Sequence, residues 1–274
     1  MKMKRSVRHI LVVSMLFMLL FSVQIFAAAK EYVYYGKKLT GFDQSAYSQI
    51  AANCRKGIKT TSIDVSGIFT YRTNLAELLV DDYPRVFWGG GLVLQRITTY
   101  ENGKYRRVFN YEVTEQWKGA LKKRSAFNKK VNAIVKKLKK KAKGKNEAQR
   151  ARIALDYIAA NCRYVRTPYD QSAYGVFLKK KAVCAGYARS YKLLCDELGV
   201  KCICVSGTVD GEEHMVNFVR VKKKWYYVDP TWCDRGSTAE DTYFLLGSRT
   251  SRCTVFYCNG IKLPKLAVND YPRF

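Results

Sequence analysis

The chain has 274 residues, 48% of them hydrophobic and 26% charged, with a formal charge of +27. That length suits one large domain or two small ones, and the apolar share excludes an intrinsically disordered chain. So one-sided a charge favours anionic partners, such as wall or surface polymers, lipid headgroups or acidic proteins, although no nucleic-acid recognition motif accompanies it.

The first segment reads as an export leader. A basic opening with Lys2, Lys4, Arg5 and Arg8 precedes an apolar run from Ile10 to Phe26, and Ala27 to Ala29 supply small residues for cleavage. Residues 1–29 are therefore expected to be a signal peptide, and loss of its four cations takes the charge from +27 to +23. An uncleaved anchor is the alternative and the only route to a membrane, but the run is short for a span and contains Ser14, Ser22 and Gln24. The expected location is secreted or cell-surface. Disulfides are stable there, and all nine cysteines follow the leader, so four bridges and one free thiol are the attractive count.

Residues 30–145 are expected to form a smaller mixed α/β accessory region. "EYVYYG" is β-prone. In Asp43–Ile58, residues Ala46, Tyr47, Ile50, Ala51 and Cys54 recur at helical spacing. "SIDVSGI" suits a strand, and "NLAELLVDDYPRVFW" suits a helix that stops before Pro84. "GGGLVLQRITTYENGKYRRVFNYEV" has the pattern of a β-hairpin turning at Asn102-Gly103. Between 129 and 145, Val131, Ile134, Val135, Leu138 and Ala142 make one helical stripe and lysines fill the rest. Such a helix is by default a solvated face, with a membrane-surface or polyanion-binding helix as the sharper reading.

Residues 146–274 are expected to form the second unit. Gly144 and Asn146 mark a helix stop and a new N-cap. The next helix should turn Ile153 or Ala154, Tyr157, Ile158 and Cys162 inward. In "KKKAVCAGYARSYKLLCDELGV", the positions Cys184, Tyr187, Ala188, Tyr191, Leu194, Cys195 and Leu198 follow helical periodicity, with Gly199 at the C-terminal stop. Cys184 and Cys195 share a face but lie about 16 Å apart along the axis. Cys184 falls in the first turn, where free N–H groups and the positive helix end favour a thiolate.

A thiol nucleophile needs a base. The only histidines are His9, in the leader, and His214. His214 opens the strand-like run "HMVNFVRV", and "WYYVDPTW" returns after a turn at Lys222-Lys223. Pairing Val221 with Lys224 sets Val216 opposite Asp229 and puts His214 and Asp229 on one face as diagonal neighbours, whereas a one-residue slip puts them on opposite faces. Cys184, His214 and Asp229 then match a nucleophile, base and orienter. The N–H of Cys184 suits an oxyanion, and Gln171 and Tyr174, upstream of the helix, are candidates for a second donor or a positioning role. Trp232 and Tyr187 are candidates for a substrate groove. A zinc site from Cys202, Cys204 and Cys233 is disfavoured by the C-x-C spacing and the lack of histidines.

These residues carry a resemblance. "GVFLKKKAVCAGYARSYKLLCDELGVKCICVSG", followed by "HMVNFVRVKKKWYYVDPTW", resembles the transglutaminase-like superfamily in its bacterial exported branch. The shared pattern is a Cys opening a helix within V-C-x-G-Y-A, a His starting a strand, and an Asp in D-x-T-W on the next strand. It covers about residues 150 to 248. The resemblance implies an α+β, papain-like core with the nucleophile helix packed on an antiparallel sheet. It also implies an acyl-enzyme formed on Cys184 from a protein or peptide amide, with water or an amine as acceptor. No metal or organic cofactor is implied. The rival expectation is a non-catalytic basic module that binds anionic surface polymers.

Overall fold

The computed structural model describes residues 31–65, 75–209, 211–251, 255–257 and 260–273; the expected leader lies outside them, as do residues 66–68 of the expected strand at 62–68. The β-prone start of the described chain does not join a sheet. Instead the amides of Tyr34 and Tyr35 donate to Asp82 Oδ1 at 2.8 and 3.1 Å, and that of Gly36 to Oδ2 at 2.8 Å. A fully buried carboxylate thus takes the donors that a strand would give to a neighbour.

Helix α1 (Gly41–Lys56) buries Ala46, Tyr47, Ile50, Ala51 and Cys54, the stripe read from the sequence. Strand β1 (Thr60–Val65) and helix α2 (Leu75–Asp82) follow, and α2 ends two residues before Pro84. Strands β2 (Gly89–Glu101) and β3 (Lys104–Glu115) form the expected hairpin. Its turn residues have φ of 51° at Asn102 and 76° at Gly103, as a two-residue hairpin turn requires. With β1 they make a three-stranded antiparallel sheet in the order β1-β3-β2.

Helix α3 (Arg124–Ala142) buries the predicted stripe and adds Phe127. Helix α4 (Glu147–Ala159) opens with a capping box, in which the Asn146 side chain accepts from the Gln149 amide and Gln149 returns the bond. Its inward face includes the expected Ala154 and Ile158, with Ala148, Ala151 and Leu155 beside them, and Cys162 is buried just past the helix end; Tyr157, like Ile153, is only partly covered. Strands β4 (Arg163–Tyr164) and β5 (Lys181–Ala182) pair in parallel, bridged by the loop and short helical turn between them.

Helix α5 (Cys184–Glu197) packs on a five-stranded antiparallel sheet. The sheet holds β6 (Cys202–Val209), β7 (Glu212–Val221), β8 (Lys224–Val228), β9 (Phe244–Leu246) and β10 (Val255–Tyr257), in the order β10-β6-β7-β8-β9. The architecture is therefore the expected α+β core with its helix on an antiparallel sheet. One apolar cluster includes residues on both sides of Lys145, from Tyr34 to Ile261. Among the described residues, no helix is long and apolar enough to cross a membrane.

Helix α5 departs from the one-stripe expectation. It is covered on nearly every side, because the sheet, α4, α3 and the short turns at Pro84–Val86 and Gly175–Lys179 enclose it. Even Lys192 is fully buried; its Nζ lies 2.7 Å from Asp196 Oδ2 and donates to the Tyr32 carbonyl at 3.1 Å. The expected count of four disulfides is also corrected. All seven described cysteines are free thiols. Most are buried in apolar surroundings, which push Cys54 up to about 12 and Cys162 to about 11.

Candidate active site

The site begins at the first residue of α5. Val183, the N-cap, has an extended backbone and makes no side-chain cap, so the first amides of the helix are left to partners at the site. Gly186 explains part of the V-C-x-G-Y-A pattern. A Cβ there would sit 2.2 Å from the Asp170 carbonyl oxygen and 3.2 Å from that of Ser172. Only glycine lets the loop before the helix close over its first turn. Arg189 ties the same loop down, donating to the Gln171 carbonyl at 2.7 Å while its Nε pairs with Asp81 at 2.8 Å.

The β7–β8 hairpin brings the other two groups. Lys222 and Lys223 have φ of 47° and 67°, and Val221 pairs with Lys224. This is the register read from the sequence, and it puts His214 and Asp229 on one face. His214 Nε2 lies 2.7 Å from Asp229 Oδ2. Asp229 is fully buried and saturated with donors. Tyr227 Oη also donates to Oδ2, at 3.1 Å, and the amides of Thr231 and Trp232 each donate to Oδ1 at 3.0 Å. Trp232 stacks on the imidazole, with ring centres 5.1 Å apart and planes 22° apart. The ring is thus fixed on one edge by a carboxylate and on one face by an indole, leaving Nδ1 for Cys184.

Electrostatics follow from this packing. Burial pushes the His214 pKa down, but the bonds to Asp229 and Cys184 outweigh it and raise it from 6.5 to about 9. Burial among Ala185, Ala188, Cys204 and Met215 pushes the Cys184 thiol up. The imidazole and the amides of Met215 and Ala185 outweigh that, and the net shift is downward. The downward shift at Cys184 and the upward shift at His214 both favour a thiolate beside an imidazolium.

The structure brings Cys184, His214, Asp229 and Trp232 together. It does not do so for every candidate. Tyr187 is corrected as a groove residue: its ring is fully buried and its hydroxyl donates to Asp234 at 2.6 Å. Tyr174 is buried in an aromatic cluster with Phe87, Trp117, Phe127 and Tyr169. The Gln171 side chain is exposed, and among the described residues neither it nor Tyr174 bonds to Cys184 or His214.

Sequence reasoning missed Tyr164. The β4–β5 pairing sets it opposite Ala182, and the Val165 amide donates to the Ala182 carbonyl at 3.0 Å. The residue is half-exposed, and its hydroxyl lies against the backbone amide of Cys184. Burial and the Cys184 charge raise its pKa, and the contact with the amide opposes them. An aromatic residue 20 positions before a nucleophile carries no sequence signal; only the parallel pairing brings it there. Among the described residues, no group of three or more metal-ligating side chains occurs.

Fold and site together define a thiol-centred α+β core. Residues 132–230 match the family model described as the transglutaminase-like superfamily. No curated protein matches the chain. Among solved structures, one described as a TGase is 17% identical, covering 66% of this chain and 53% of its own, with a TM-score of 0.34. A candidate cysteine protease from Cytophaga hutchinsonii is 15% identical over 52% of this chain and 64% of its own, with a TM-score of 0.29. A candidate protease from Parabacteroides distasonis is 12% identical over 62% of this chain and 40% of its own, with a TM-score of 0.27. The chain spans less than two thirds of the length of each of the three.

Proposed function

We propose that the protein is an exported cysteine-dependent acyl-transfer enzyme acting on peptide or protein amides. The observation that carries this reading is the Cys184 thiol, lowered in pKa beside an imidazole that Asp229 holds at 2.7 Å. The leader-like residues 1–29 support export, and 30–145 serves as an accessory region in this reading. Asp81, from that region, braces the nucleophile helix through Arg189.

In the first step the Cys184 thiolate adds to the amide carbonyl. The resulting oxyanion meets the Cys184 amide, with the Tyr164 hydroxyl as second donor. Collapse breaks the C–N bond, and the His214 imidazolium gives its proton to the leaving amine. A thioester on Cys184 remains. In the second step neutral His214 takes a proton from the acceptor, either water or a primary amine, as it attacks the thioester. Collapse of that adduct releases the thiolate and restores the ion pair. Asp229 keeps Nε2 as the protonated nitrogen throughout, so Nδ1 does the proton transfers.

Incubation with a glutamine peptide and a labelled primary amine tests the reading. It predicts time-dependent amine incorporation or peptide hydrolysis, abolished by Cys184→Ala. Equal turnover by that variant contradicts it.

A further inference from the structure

Helix α3 has no Asp or Glu between Arg124 and Ala142, and its apolar residues Phe127, Val131, Ile134, Val135, Leu138 and Ala142 are all buried. Its outer face is made of lysines in rows. Lys129, Lys136 and Lys140 form one row, Lys130, Lys137 and Lys141 a second, and all six are exposed. Lys143 extends the first row just past the helix end. Residues 129 to 143 span about 21 Å at 1.5 Å per residue.

This arrangement works against the helix that carries it. Lys136 with Lys140 and Lys137 with Lys141 are like charges four residues apart, which weakens a helix. Lys122, Lys123 and Arg124 crowd its positive end, where acids are favoured. A face serving solubility alone interleaves both signs. Here, among the described residues, the one ion pair made by a lysine of the helix is Lys139 with Glu197 at 3.3 Å. Glu197 is already held by Arg85 at 2.5 Å. The first row runs into a depression of about 450 Å³ lined by Lys139, Lys140, Lys143 and Arg150, with Glu197 as the sole acid in its lining.

We propose that this face is a docking strip for a linear, base-free phosphate or phosphodiester polymer, with the depression receiving one end of the bound stretch. Charge complementarity selects a polyanion. The chemistry of the face narrows the choice. A membrane-surface helix inserts its apolar side, but every apolar residue of that stripe is already committed to the core. A single-stranded nucleic acid is held by bases stacked on aromatic rings, and the one aromatic residue of this helix, Phe127, is buried. Lysine ammoniums read charge density rather than planar geometry, which suits a flexible chain of repeating phosphates. The strip is independent of the Cys184 chemistry.

The test titrates the purified protein with long-chain inorganic polyphosphate at several salt concentrations. With six lysines engaged, at about 0.7 counterions per contact, the log–log salt slope should be about −4. The triple variant Lys129→Glu, Lys136→Glu, Lys137→Glu should bind far more weakly, with a slope shallower by about 2. A control with the same charge change dispersed elsewhere, Lys37→Glu, Lys104→Glu, Lys265→Glu, should keep most of the affinity; all three of those lysines are exposed. Circular dichroism checks that both variants fold. Equal loss in the two variants overturns the proposal, because net charge alone then explains binding. Binding of anionic vesicles or of single-stranded DNA as tightly, per phosphate, as polyphosphate also overturns it.

Discussion

Replacing Asp229 by Asn changes one oxygen to an NH₂ and leaves the volume intact. Asp229 Oδ2 now sits 2.7 Å from His214 Nε2, and Oδ1 accepts the amides of Thr231 and Trp232. Those two amides hold the Asn carbonyl oxygen at the Oδ1 position, so its NH₂ faces the ring. Nε2 must then accept, and the proton moves to Nδ1, the nitrogen meant to serve Cys184. The imidazolium also loses its main support. His214 is raised from 6.5 to about 9, worth roughly 3 kcal/mol at about 1.4 kcal/mol per pH unit. With the carboxylate gone, Cys184 alone opposes burial, and the thiolate–imidazolium pair at pH 7 should fall by about 10²-fold. The assay is iodoacetamide labelling followed by mass spectrometry of the Cys184 peptide. In the parent protein the labelling rate should rise through an inflection below the ordinary thiol value of 9.0, and change again near 9 as the imidazolium loses its proton. In Asp229→Asn the first inflection should move to higher pH, with a correspondingly slower rate at pH 7. An unchanged rate and profile in the variant refutes the reasoning.

Other changes separate positioning from stability. Tyr164→Phe should lower kcat by about 10²-fold with little change in KM, as loss of one oxyanion donor does. Iodoacetamide labelling of Cys184 should stay unchanged in that variant; slowed labelling would mean that Tyr164 acts on the thiol instead. Gly186→Ala should displace the loop over the helix start, since its Cβ meets the Asp170 oxygen at 2.2 Å; a parent-like Tm and turnover would contradict that contact. Lys192→Met removes the buried cation that lies 2.7 Å from the Asp196 carboxylate, at an expected cost of about 3–5 kcal/mol in urea unfolding. A change below about 1 kcal/mol would mean that Asp196 is neutral in the folded protein.

The parts of this protein legible from sequence are those with local rules. The α1 and α3 stripes follow helical periodicity, and the Asn102-Gly103 turn is written in residues that tolerate positive φ. The β7–β8 register follows from a two-residue turn, and with it the meeting of His214 and Asp229. Long-range contacts decided the rest. The aromatic start at Tyr34–Gly36 is β-prone, yet a carboxylate some 47 residues away, Asp82, takes its amides. Helix α5 shows a stripe but is enclosed on nearly all sides, so its polar Lys192 is interior, matched by Asp196 from its own next turn. Tyr187 shares the α5 periodicity with core residues and behaves as one of them. Tyr164 reaches the site through a two-residue parallel pairing too short for any pattern to announce.

The proposed reaction requires that Cys184 receive an acyl group. Acid quenching of the protein with a glutamine-containing peptide, followed by intact-mass analysis and peptide mapping, reads it most directly. The account predicts an adduct equal to the peptide minus ammonia or minus its leaving fragment, located on Cys184 and released by hydroxylamine as a thioester is. It should accumulate further when acceptor amine is withheld. Turnover of the same peptide without any adduct on Cys184, or with the adduct on another residue, would contradict the account.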